Sequence, residues 1–316
     1  MIAGSGDGGI LGDQTIGPQS GQGIFWRGPL SDFRIRGAVF AGLAAVFFSS
    51  QDALVKWLSS DFSLLQLLFV RSIIGVIALC VIIRVRFGWA GLMTRRPGGH
   101  LLRALSNLVA FLSYYFAITR MPLADATSLV LGYPLFLALL SGIFLGEHPR
   151  GRQVLALIAG FVGVMFVVQP SAENVDWLGA GAAVFGSLMF AVLGLQTRYL
   201  SKTETTELMV FSAALSFLVV TGLTLPFVWQ PVTVVEFGLM VLMGSAGILG
   251  QYCLVSGFRY APVYLVGALE YTGLIWAILF GWRFFNDFPS LAVLGGVALI
   301  VTSGIVIVQA EKLRIR

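Results

Sequence analysis

The chain has 316 residues, 57% of them apolar and only 11% charged, with a mean hydropathy of +0.90 and a formal net charge of +5. A water-soluble chain needs about a quarter charged residues, so a soluble globular fold is excluded and an all-α membrane protein is indicated. The positive charge comes as scattered arginines between apolar blocks, not as a basic run interleaved with aromatics, which argues against a nucleic-acid partner.

Residues 1–33 are rich in Gly, Ser, Gln and Asp without apolar periodicity, and read as a flexible cytoplasmic tail. Within it, Gly4-Ser5-Gly6-Asp7-Gly8-Gly9 fits the G-x-G-x-x-G pattern. It follows no strand and opens no helix, so no dinucleotide site and no cofactor are expected. No charged segment leads into an apolar core and cleavage site, so no removable signal peptide is expected. Ten apolar blocks follow, near 36–58, 64–84, 101–119, 125–145, 152–169, 177–199, 207–228, 236–258, 262–284 and 289–309. Each approaches the roughly 20 residues that cross about 30 Å of hydrocarbon. Except between Arg84 and His100 the connections are short, so consecutive helices are expected to be antiparallel neighbours.

Polar residues inside the blocks are the candidates for function, because a charge in a span costs about 2.5–3.5 kcal/mol unless it is paired or faces water. In the first span Asp52 and Lys56 share a face with Ser49. They suit a local ion pair, with substrate binding as the alternative reading. Arg71 in the second span could bind a carboxylate bidentately or join Asp52 in a structural network. Arg103, close to the start of the third span, is expected to snorkel to the cytoplasm. Farther along that span Asn107, Phe111 and Tyr114 recur at helical spacing. In the eighth span Ser245 and Tyr252 repeat that spacing, with Gln251 alongside. Tyr133 and Tyr271 take related places in the fourth and ninth spans. Together these rings and polar groups suit the wall of a cavity for an amphipathic organic solute, although an aromatic stripe also serves packing.

Glu270 is the deepest acid, about 12 Å into the ninth span, with no basic residue one turn away. It reads as a proton site or a counter-charge to an amine, or else as a structural partner to a base on another helix. Gly132 and Pro134 are expected to kink the fourth span, whereas the matching Gly273 has no proline, so the hinge should be asymmetric. Gly142 and Gly146 have the spacing for close helix contact. Glu147 and Asp287, each just before a proline-led span, read as helix-capping acids. Cys80 and Cys253 lie within spans, and His100 and His148 stand apart without ligand grouping, so neither a disulfide framework nor a metal site is expected.

Orientation follows from the loop cations. Arg27, Arg34, Arg36, Arg84, Arg86, Arg95, Arg96, Arg103, Arg150, Arg152, Arg198, Lys202, Arg259, Lys312, Arg314 and Arg316 collect on one side. Lys56, Arg120, Arg283 and Arg71 are all that remain for the other, so both termini are expected in the cytoplasm. An internal repeat accompanies this pattern. Glu147-His148-Pro149 opens a span ending Val167-Val168-Gln169, as Asp287-Phe288-Pro289 opens one ending Ile307-Val308-Gln309. Tyr114–Arg120 similarly matches Tyr252–Arg259 with one insertion. The expectation is therefore ten transmembrane helices as two inverted five-helix repeats, residues 34–171 and 172–310, then a short C-terminal tail over 311–316.

The stretch from Pro122-Leu-Ala-Asp to Gly132-Tyr-Pro134, continuing to Phe144-Leu-Gly-Glu-His-Pro149, resembles the drug/metabolite transporter superfamily, EamA type. So does Leu269-Glu-Tyr-Thr-Gly-Leu-Ile-Trp276 leading to Pro289, although Asn286-Asp287 replaces the usual Gly-Glu there. The resemblance covers residues 36–310 and implies a ten-span carrier of small organic metabolites in the inner membrane. Amino acids or similar amphipathic solutes are the leading substrates it implies, with export ahead of uptake. The alternatives are an importer of a vitamin, nucleoside-like compound or carboxylate, and a non-transporting scaffold. An enzyme is not expected, since no H-E-x-x-H, G-x-S-x-G or paired catalytic acids occur on one span. The expected partners are a small-molecule substrate and the lipid bilayer, the protein acting as monomer or homodimer.

Overall fold

The structure, a computed structural model, describes residues 33–120, 123–169, 176–285 and 290–315. The N-terminal tail, Pro122 and Asp287 lie outside the described residues. All regular structure among those described is helical, which pairs the backbone groups within each segment where lipid offers them no hydrogen bonds. The helices are α1 (Phe33–Leu58), α2 (Leu64–Phe87), α3 (Pro97–Arg120), α4 (Leu123–Val130), α5 (Tyr133–Leu145) and α6 (Gly151–Val168). They continue with α7 (Trp177–Leu200), α8 (Thr206–Val228), α9 (Val234–Tyr260), α10 (Val263–Glu270), α11 (Gly273–Phe285) and α12 (Leu291–Ile315). One turn of 3-10 helix, Trp89–Leu92, fills the longest loop, and α12 continues helically to Ile315 through the expected tail.

Among the described residues eight segments are long and apolar enough to cross a membrane, counting α10 and α11 as one, and α5 is a shorter apolar helix. Polar caps mark several starts. Ser63 accepts from Gln66 N, Asp176 from Leu178 N and Gly179 N, and Thr205 from Leu208 N. At α9 Thr233 and Glu236 cap each other reciprocally, with Thr233 N donating to Glu236 at 2.7 Å. Large side chains such as Phe227, Leu223, Ile143 and Leu155 stay exposed on the outer faces, where lipid rather than water is the solvent.

Two helices are interrupted, and in matching places. Val263 stands 140 positions after Leu123, Gly273 140 after Tyr133 and Leu291 140 after Gly151, so the starts of α10, α11 and α12 repeat those of α4, α5 and α6. The expected asymmetric kink is therefore corrected to a break in each. Pro134 lies in the first turn of α5, where its missing N–H costs no intrahelical bond, so it begins a helix rather than bending one. No proline is needed at the second break. There Thr272 Oγ1 donates to Leu269 O at 2.6 Å, and Thr272 N, Leu274 N and Ile275 N all make tight i to i+3 bonds. Gly146 is the left-handed C-cap of α5 (φ 66°), and a Cβ at Gly142 would face the His148 ring. That pair therefore ends a helix rather than forming a helix–helix face.

The packing has the same exchange symmetry. Helix α1 lies along α9 and against α10 and α11, while α7 lies along α3 and against α4 and α5. Helix α2 pairs with α8, and α6 with α12. The last crossing is close because Gly163 and Gly296 face each other. A Cβ on Gly163 would come within 2.8 Å of Gly296 O, and one on Gly296 within 2.6 Å of Gly163 O. Gly163→Leu is expected to cost about 2–3 kcal/mol by forcing the backbones apart. Gly295→Leu is the control, since a Cβ there meets nothing within 4 Å. Melting of the purified pair should separate them; equal melting temperatures would show that the crossing can relax.

Candidate substrate cavity

A cavity of about 410 Å³ opens among α1, α2, α3, α7 and α9, with the two helix breaks forming part of its wall. That volume suits a small organic molecule, for which sites run to about 300–1,000 Å³. Of the residues expected from sequence, the cavity brings together Asp52, Arg71, Asn107, Phe111, Tyr133, Gln251 and Glu270.

One group of polar residues comes from α1 and α2. Gln51 Nε2 donates to Asp52 Oδ1 at 3.1 Å, and Arg71 acts on Asp52 electrostatically. Arg71 Nη2 reaches Gly247 O at 3.5 Å, at the outer limit of a hydrogen bond. The ends of the Gln51 and Arg71 side chains fill the space over Gly247: a Cβ there would overlap Gln51 Oε1 and lie 2.6 Å from Arg71 Nε, so both would have to move. Among the described residues Gln51 Oε1 is buried without a hydrogen-bond partner.

A second group comes from α3, α7 and α10. Arg103 is 3% exposed, so the expected snorkelling is corrected. Its Nε donates to Thr197 Oγ1 at 2.9 Å and its Nη1 to Met209 O at 3.1 Å, and these acceptors replace the water it would otherwise seek. Asn107 follows one turn along the same face. Glu270, at the last residue of α10, makes no ion pair and no side-chain hydrogen bond among the described residues. Arg71 and Arg103, bases on other helices, line the same cavity as Glu270. Aromatic edges close the wall. Phe111 sits edge-on to Phe190 and Phe217, with centroids 5.3 and 5.2 Å apart, and Tyr133 is tilted against Phe190 at 6.3 Å.

Other expected residues lie elsewhere. Tyr114 Oη shares a hydrogen bond of 3.0 Å with Thr127, and Tyr252 Oη reaches Glu207 Oε1 at 3.5 Å. Tyr271 is 1% exposed, and Ser245 lies on α9 away from the cavity lining. Lys56 lines a second, more open cavity of about 540 Å³ between α1, α6, α11 and α12, which Asp52 also borders. Residues that the sequence reading missed include Phe48, Gln51, Phe190 and Thr197. For Phe190 and Thr197 the signal was present: positions 190, 194 and 197 repeat the spacing of 107, 111 and 114.

Glu147 caps a helix, but not the one that follows it. Its Oε2 accepts from Val263 N at 2.9 Å, at the start of α10, and its Oε1 accepts from Arg198 Nε at 2.8 Å. Arg198 Nη1 also donates to Phe258 O and Arg259 O, at 2.9 and 2.7 Å.

Eight membrane-length apolar segments among the described residues, together with a polar, aromatic-walled cavity, define an integral multi-pass membrane protein with room for a small solute. Comparison with known proteins agrees. The EamA-like transporter family model matches residues 35–169. An uncharacterized transporter of Helicobacter pylori is 30% identical over 282 residues, covering 86% of this chain and 94% of that one. The pseudopaline exporter CntI of Pseudomonas aeruginosa is 29% identical, covering 87% and 97%. An S-adenosylmethionine uptake transporter of Rickettsia bellii is 27% identical, covering 85% and 92%. A solved crystal structure superposes with a TM-score of 0.73 at 22% identity, covering 85% of this chain and 96% of that one, which shows the shared fold. The chain belongs to the EamA-like transporter family of the drug/metabolite transporter superfamily. It is a membrane transporter of small molecules, not an enzyme.

Proposed function

We propose that the protein is a secondary transporter for small organic solutes that carry both an amine and a carboxylate, amino acids and their derivatives foremost, with export as the working direction. The observation that carries this reading is one aromatic-walled cavity offering both Arg71 and Glu270, the latter with no ion pair or side-chain hydrogen bond among the described residues. A guanidinium takes a carboxylate bidentately, a buried carboxylate takes an ammonium, and the rings take the apolar remainder. An S-adenosylmethionine carrier among the relatives handles a solute with an amino-acid end, which supports the class.

The matched breaks and exchange-symmetric packing support ten spans in two inverted repeats, with the cavity between them reached from alternate sides. The excess of loop arginines beside the start of α3, the end of α7 and the start of α10 supports that end as cytoplasmic, with both termini inside. Uptake is the second reading, favoured by the relative named for it. The test is counterflow in proteoliposomes holding only this protein, scanned over labelled amino acids, vitamins, nucleosides and carboxylates. Accumulation of an amino-acid-type solute without ATP is expected. Accumulation only of a carboxylate lacking an amine would move the assignment to the runner-up class. Oriented vesicles loaded on one side would then decide direction.

A further inference from the structure

The chain ends a long helix at Tyr260 and starts a short one at Val263 without local means to cap either end. Pro262, at the N-cap position of α10, has no side-chain hydrogen bond to offer the freed N–H groups. The last carbonyls of α9 are likewise beyond the reach of intrahelical donors. Both needs are met from far away in sequence. Glu147 places a carboxylate at the positive end of α10, and Arg198 places a guanidinium at the negative end of α9, each the favourable sign for its helix end. The two charges also bond to each other, at 18% and 20% side-chain exposure. From the other side α1 holds the same corner: a Cβ on Gly37 would overlap that of Ala261.

From this corner α10 runs about 12 Å to Glu270. Val263 through Leu269 are all buried, so the half-helix is enclosed on every side and cannot bend independently of its ends. We infer that Glu147 and Arg198 are positioning residues for Glu270: by capping the α9–α10 corner they set where α10 presents that carboxyl in the cavity. The inference rests on the assignment of Glu270 to the substrate site, but the geometry it predicts can be read without any substrate.

The full-length protein in nanodiscs is reacted with dicyclohexylcarbodiimide, which modifies carboxyl groups within membranes, and the rate at Glu270 is followed by peptide mass spectrometry. Glu147→Gln and Arg198→Gln are both expected to change that rate, rising about tenfold as the half-helix loosens. Glu236→Gln removes a cap at the opposite end of α9 and serves as the control. It is expected to lower the melting temperature and leave the Glu270 rate as it was. Unchanged rates in both corner variants, or an equal rise in the control, would overturn the inference. Should Glu147→Gln fail to fold, Arg198→Lys carries the same comparison, since it keeps the charge but loses the planar fork and should give a smaller rise. If the variants show these shifts while the wild type carries no solute, the transport role of Glu270 falls and its positioning by the corner stands.

Discussion

Glu270→Gln is expected to reduce counterflow of an amine-bearing solute by at least about 100-fold, on the scale of removing one partner from a buried charge pair. The carboxyl stands at the end of a fully enclosed half-helix and faces the cavity with no ion pair or side-chain hydrogen bond among the described residues. A carboxylate held this way is unfavourable for the fold and gains a compensating partner only when a cation arrives. Glutamine keeps the shape and removes the charge. The melting temperature of the purified variant should therefore match or exceed that of the wild type, separating loss of function from loss of fold. The decisive comparison uses a solute and its analogue without the amine. The variant should lose most of the discrimination between them. Unaltered exchange and an unaltered pH profile would make Glu270 structural and sink the proposed amine site.

Arg71→Ala is the counterpart at the carboxylate end, and a loss of about 100-fold is again expected for solutes carrying that group. Arg71 lies in a notch that exists because Gly247 has no side chain, next to Gln51 and within electrostatic reach of Asp52. Arg71→Lys should be intermediate, because an ammonium keeps the charge but not the two parallel donors. The measurement is counterflow with matched solutes that retain or lack the carboxylate. Transport of the decarboxylated amine should survive in Arg71→Ala and fail in Glu270→Gln. If Arg71→Ala weakens both solutes equally, Arg71 supports the cavity wall through Gln51 and Asp52 rather than reading the solute.

Composition and apolar block length were enough to determine an all-helical membrane protein, because continuous apolar blocks of about 20 residues fit spanning helices, whereas barrel strands are about half that length and alternate in polarity. The recurrence of Glu-His-Pro and Asp-Phe-Pro motifs announced the register in which α10, α11 and α12 follow α4, α5 and α6. Single-span periodicity also found Asn107 and Phe111, because a residue's face on a helix depends only on its place in the 3.6-residue turn. Periodicity cannot say which neighbour that face meets. Tyr114 and Tyr252 have the right spacing but turn to Thr127 and Glu207, and Tyr271 is sealed in the core. Arg103 shows the same limit from the other direction. Its position near a helix start suggested solvent, yet Thr197 and Met209, about a hundred residues away, supply acceptors that hold it in the cavity wall. Glu147 was legible as a capping acid by type and place; that it caps α10 was decided by packing, which brings the loop after α5 against the start of α10. Local chemistry in the sequence thus determined which groups need partners. Only the tertiary structure decided which partners they have, because those partners come from segments that share no local pattern.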